Sequence, residues 1–106
     1  MRDEVRPLRK TDFARAISRR QRERIMRGEL RGGQDIIALR RFSGLSQLAF
    51  AHALGISVHT LRNWEQGRRT PDGPALALLR IVARHPSVLR ENLVSSARRK
   101  GMQSTA

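Results

Sequence analysis

Between Val58 and Gln66 the order of side chains places different chemistry on the two sides of a helix. At about 100° per residue, His59, Arg62, Asn63 and Gln66 share one face, and Leu61, Trp64 and Glu65 share the other. Val58 and Thr60 flank the polar strip. That strip offers donors and acceptors of the kind that read base edges in a major groove, where Arg binds guanine and Asn binds adenine bidentately. Val58 suits a thymine methyl. Gln47 and Ser57 stand at predicted helix N-termini, where backbone N–H groups and the helix dipole favour phosphate. Thr60, Arg68 and Arg69 are further candidate phosphate contacts, which set register without reading sequence. Trp64, the large aromatic on the opposite face, reads as core.

The elements that position this strip are legible on either side of it. Ser57 is the N-cap of the helix predicted over about 58–66, and Gly67 stops it. Ser46 caps a preceding helix over about 47–54, with Phe50, Ala51 and Leu54 turned inward. Gly55-Ile56-Ser57 joins the two, with Gly55 where a helix end needs a left-handed residue. Ile36, Ile37, Leu39 and Phe42 predict a helix over about 35–42, ended by Gly44. Pro74 opens a helix over about 74–84, and Pro86 opens another over about 86–98. The apolar residues of these last two cover more than one stripe, which leaves surface for another subunit.

The first 33 residues have a different texture. Thr11 is a plausible N-cap for a helix from about Asp12 to Arg27, with Phe13, Ile17, Ile25 and Met26 as a thin apolar edge. Such a face is too sparse to fold alone and is read as ordering against a partner. Gly28, Gly32 and Gly33 read as a linker.

The chain holds 22 Lys and Arg against 9 Asp and Glu over 106 residues, a net charge of +13. Lys occurs only at positions 10 and 100, so nearly all the positive charge is Arg, whose planar fork matches phosphate. Such a field favours nucleic acid or another anionic partner. With no Cys there is no disulfide and no thiolate zinc site, which fits a cytoplasmic protein. His52, His59 and His85 lack metal-ligand spacing, so neither a metal nor another cofactor is expected. No apolar run approaches the ~20 residues of a membrane span. No Ser-His-Asp grouping, glycine-rich phosphate cradle or carboxylate pair supports an enzyme.

The motifs L-S-Q at 45–47, F-A-x-x-L-G-I-S at 50–57 and T-L-x-N-W-E-Q-G-R-R-x-P at 60–71 resemble the helix-turn-helix of the Xre-like (Cro/C1-type) repressor family. The continuation P-A-L-A-L-L-R-I-V-A-R-H-P at 74–86 resembles its HigA-type antitoxin branch. The resemblance implies an all-α fold, a compact bundle of about five helices with 58–66 as the recognition helix. It also implies a homodimer on a palindromic double-stranded DNA operator, a RelE/HigB-like ribonuclease toxin as partner, and repression of the chain's own operon. By family pattern Arg40 and Glu65 form an inward ion pair. The chain is then divided into a basic N-terminal extension (1–33), a helix-turn-helix domain (34–98) and a C-terminal tail (99–106). Phe13, Ile17, Ile25 and Met26 are the candidate toxin contacts, although the +6 charge of residues 1–33 also suits DNA. Leu48 departs from the family pattern and is either an exposed apolar contact or packed on the N-terminal arm. Two alternatives remain: a stand-alone repressor without toxin, and an RNA- or ribosome-associated protein that works through its Arg-rich ends.

Overall fold

The computed structural model describes residues 17–93, and every regular element among them is helical. In chain order these are α1 (Arg19–Met26), α2 (Gly33–Ser43), α3 (Gln47–Leu54), α4 (Val58–Glu65) and α5 (Gly73–Arg84). Residues 87–93 are also helical. The remainder of the helix expected over 86–98, the start of the one expected at Asp12, and Phe13 lie outside the described residues.

Local sequence accounts for the central pair. The Ser46 hydroxyl accepts from the Ala49 N–H at 3.1 Å, and the Ser57 hydroxyl accepts from the Thr60 N–H at 3.0 Å. Each therefore satisfies a donor that a helix start leaves unpaired. Between them Gly55 takes a left-handed φ of 78°, a conformation costly for a residue with a Cβ. The Ile56 N–H then returns to the Ala51 carbonyl, so the chain reverses within three residues.

Ile25, Ile36, Leu39, Phe50, Leu61, Leu79 and Val82 are each under 2% exposed, and Trp64 closes the core beside them. Leu54, expected inside, is only half-buried, because it sits at the end of α3 where an apolar groove opens towards α5. The helical residues 87–93 are tied to the ends of two earlier helices. Arg90 Nη1 donates to the Ser43 carbonyl, and Asn92 Nδ2 donates to the Ala53 carbonyl.

The division at residue 33 does not describe the fold. Ile17 and Ile25 are core residues rather than a free edge, and Met26 packs partly against the same core. They are taken up by α1 packing on α5. Each of these two helices caps the end of the other. Arg22 of α1 donates to the carbonyls of Ala83 and Arg84, while Arg80 and Arg84 of α5 donate to the Met26 carbonyl. Helix ends leave carbonyls unpaired, and cationic donors there also suit the helix dipole. The Arg22 guanidinium stacks 5.1 Å above the Phe42 ring, adding a contact to α2. The helix expected to run from Asp12 instead begins at Arg19, because Ser18 is extended and its hydroxyl accepts from the Gln21 N–H.

Asp35 fastens the same segment to α2. Its carboxylate, almost fully buried, accepts from Arg24 Nη1 at 2.7 Å, Arg24 Nη2 at 3.1 Å, Gln21 Nε2 at 2.9 Å and the Arg31 N–H at 2.7 Å. Burial alone would push this carboxyl up; the hydrogen bonds from Arg24, Gln21 and Arg31 outweigh it and hold the carboxyl below its ordinary value. The same pairing raises Arg24.

Gly33, expected in a linker, lies in the first turn of α2 against the end of α4. A Cβ there would fall within 2.9 Å of the Trp64 carbonyl oxygen and closer still to that of Glu65. The start of α2 is thus seated on the backbone of α4.

Candidate nucleic-acid interface

On α4, Leu61 and Trp64 are buried, whereas His59, Arg62 and Gln66 are exposed and Asn63 is half-buried. The polar strip therefore faces outward, as its spacing requires. Val58 is half-buried and packs against the core, so less of it is presented than the sequence suggested. Thr60 is half-buried, and its hydroxyl oxygen accepts from the Ser57 hydroxyl at 3.0 Å.

The loop after α4 folds back on the strip. The Asn63 carbonyl accepts from the N–H groups of both Arg68 and Arg69. Both arginines are exposed, and Arg69 joins His59, Thr60, Asn63 and Asp72 around an open polar cleft. Base-reading and phosphate candidates are thus brought together on one surface.

Glu65 is turned inward. Arg40 Nε donates to Glu65 Oε2 at 2.7 Å, and Arg40 Nη1 donates to the Leu45 carbonyl at 3.2 Å. The acid of α4 is compensated beneath the strip and does not oppose a polyanion approaching it.

Gln47 is the first residue of α3, as expected. Its side chain lies between α3 and α4, donating from Nε2 to Glu65 Oε1 at 2.8 Å and accepting at Oε1 from Arg62 Nε at 3.3 Å. The side chain thus bridges α3 and α4, and the candidate phosphate contact is the backbone N–H groups of the α3 start. Beside it Leu48 is 69% exposed.

Sequence reasoning missed the Asp35–Arg24 pair, the Gly33 seat and the Gln47 bridge. Asp35 in a helix's first turn reads as an ordinary dipole partner. No local pattern links it to an arginine in a preceding helix.

A helix-turn-helix family model (HTH_3) matches residues 36–80. The antitoxin HigA-2 of Vibrio cholerae is 46% identical over 63 residues, covering 58% of this chain and 61% of that protein. An uncharacterized HTH-type transcriptional regulator of Escherichia coli K12, YiaG, is 33% identical over 57 residues, covering 54% of this chain and 59% of its own. The chain thus spans about three fifths of the length of these relatives. No solved structure matches it. The matched region takes in α4, its outward strip and the turn that sets it, so this part of the chain is similar to helix-turn-helix proteins, the HigA-2 antitoxin among them.

Proposed function

We propose that this chain is a sequence-specific DNA-binding antitoxin of a type II toxin–antitoxin pair, binding the operator of its own operon and neutralising a RelE/HigB-like ribonuclease toxin. The observation that carries the DNA part is the exposed row His59, Arg62 and Gln66, with Asn63 beside it, on a helix whose only acid is neutralised from below. Two such helices in a homodimer would enter successive major grooves about 34 Å apart. Val58, Thr60, Arg68 and Arg69 lie at the edges of that contact, and Ser57 sets the angle of the helix. The likeness to HigA-2 supports the toxin part. Ile17 and Ile25 are spent on the core, so a toxin is left with the segment around Phe13, outside the described residues, and the exposed edge of Met26.

Co-expression with the ribonuclease-like protein encoded beside it tests the antitoxin reading. The pair is expected to co-purify, and this chain to relieve the growth arrest its neighbour causes. A neighbour that neither binds nor is neutralised leaves the second reading, a stand-alone regulator, which the likeness to YiaG favours.

A further inference from the structure

We infer that Arg31, in the turn between α1 and α2, is a phosphate contact that extends the DNA-facing surface beyond the helix-turn-helix itself. This rests on the DNA-binding reading above, and it concerns a residue ahead of the helix-turn-helix match, which begins at residue 36. The turn lies beside the loop that follows α4. Leu30, Gly32 and Gly33 on one side and Gly67, Arg69 and Thr70 on the other line a single crevice of about 60 Å³. Arg31 stands between two of those lining residues and is exposed, as are Arg68 and Arg69. Two loops thus bring three exposed arginines to one edge of the strip.

The turn is held from both sides, so this arginine is carried on a fixed backbone. The Arg31 N–H donates to Asp35 Oδ2 at 2.7 Å, and Asp35 is almost fully buried. Arg24 Nη1 donates to the Glu29 carbonyl at 3.0 Å. Gly33 abuts the carbonyls of Trp64 and Glu65, which fixes the turn against the end of α4. The acids of the turn are already engaged: Asp35 is taken by Arg24 at 2.7 Å, and Glu29 pairs with Arg27 at 3.1 Å. The charge of Arg31 is therefore left to the outside, next to those of Arg68 and Arg69. A guanidinium fork matches phosphate oxygens, and a cation on a restrained backbone has less to order on binding. Arg31 flanks the base-facing strip from another element, which is the place of a contact that positions rather than specifies.

The test uses the full chain with Arg31→Ala, Arg31→Lys and, as a charge-matched control, Arg20→Ala on the exposed side of α1. The probes are the duplex the parent selects from a random pool and a scrambled duplex of the same length, each titrated over a range of salt. Arg31→Ala should flatten the log–log slope by about 0.9 and weaken both duplexes alike, by roughly eight-fold at 0.1 M salt. Arg31→Lys should keep the slope, and Arg20→Ala should change it far less. Adding Arg68→Ala to Arg31→Ala should remove about 0.9 more. Ethylating single phosphates of the selected duplex should identify one whose ethylation weakens the parent and leaves Arg31→Ala unaffected. The melting temperature of Arg31→Ala should match the parent's, since the bond to Asp35 comes from the backbone. An equal loss of slope in Arg20→Ala would mark a general field and overturn the proposal, and so would a loss confined to the selected duplex or the absence of such a phosphate. If the parent shows the expected slope and Arg31→Ala shows the same one, the proposal alone fails. If the parent's slope is near zero, the DNA reading fails and the proposal falls with it.

Discussion

Two residues in the first turn of α2 decide how that helix is seated, Gly33 against the end of α4 and Asp35 against α1. At Gly33 a methyl group would collide with the carbonyls that end α4, and backbone cannot step aside as a flexible side chain can. Gly33→Ala is expected to cost about 1–3 kcal/mol and to shift α4, so that operator affinity falls with stability. Urea unfolding and DNA titration of that variant check this; unchanged values in both would mean the contact yields freely. Asp35 is the second. Its carboxyl titrates below the unfolded value of 3.8. Its stabilisation is complete above that value and fades as pH falls through the lower, folded one. Asp35→Asn should destabilise the protein at neutral pH by roughly 3 kcal/mol, because Arg24 loses its buried partner. The variant should also lack the parent's loss of stability below about pH 3.8, which thermal unfolding across that range would reveal.

At the scale of elements, α1 is part of the same packed body as the helices that follow it and not an appendage to it. Removing residues 1–33 takes away Ile25, Arg22 and Arg24 and exposes α5 and Asp35. That truncation should unfold at markedly lower temperature, whereas removal of residues 1–16 should leave the melting temperature of the rest near the parent's; circular dichroism melts of both separate the cases. The helix pair was readable because its information is local. Ser46, Ser57 and Gly55 set α3 at the expected residues and α4 within one residue of them. The role of α1 was not readable, because its thin apolar edge acquires meaning only when α5, some 60 residues later, arrives to cover it. Arg22 and Arg80 looked like general positive charge, since nothing in their own neighbourhood names the carbonyls they cap. Gln47 was placed at the right helix start, but the direction of its side chain depends on Glu65 from another element.

Apart from Leu48, the exposed large hydrophobics among the described residues lie along α5 and the helical residues that follow it. No helix among the described residues is long and apolar enough to cross a membrane. Leu78, Ile81 and Val88 are exposed beside a groove of about 490 Å³ that also takes in Leu54. This is the surface on which we place the homodimer contact. Ile81→Asp is expected to turn a dimer into a monomer by light scattering, and to weaken binding to a two-site operator far more than to a single half-site. A dimer that persists in this variant would move the interface elsewhere.

The central claim is that the strip His59, Arg62, Asn63 and Gln66 reads bases. It is tested most directly by titrating the parent, Arg62→Ala and Asn63→Ala against selected and scrambled duplexes over a range of salt. With six to eight phosphate contacts, the parent should show a log–log slope of roughly −5 to −7. Each substitution should cost about 1–3 kcal/mol on the selected duplex and little on the scrambled one. Equal binding of parent and variants to the selected duplex, or a parental slope near zero, would contradict it.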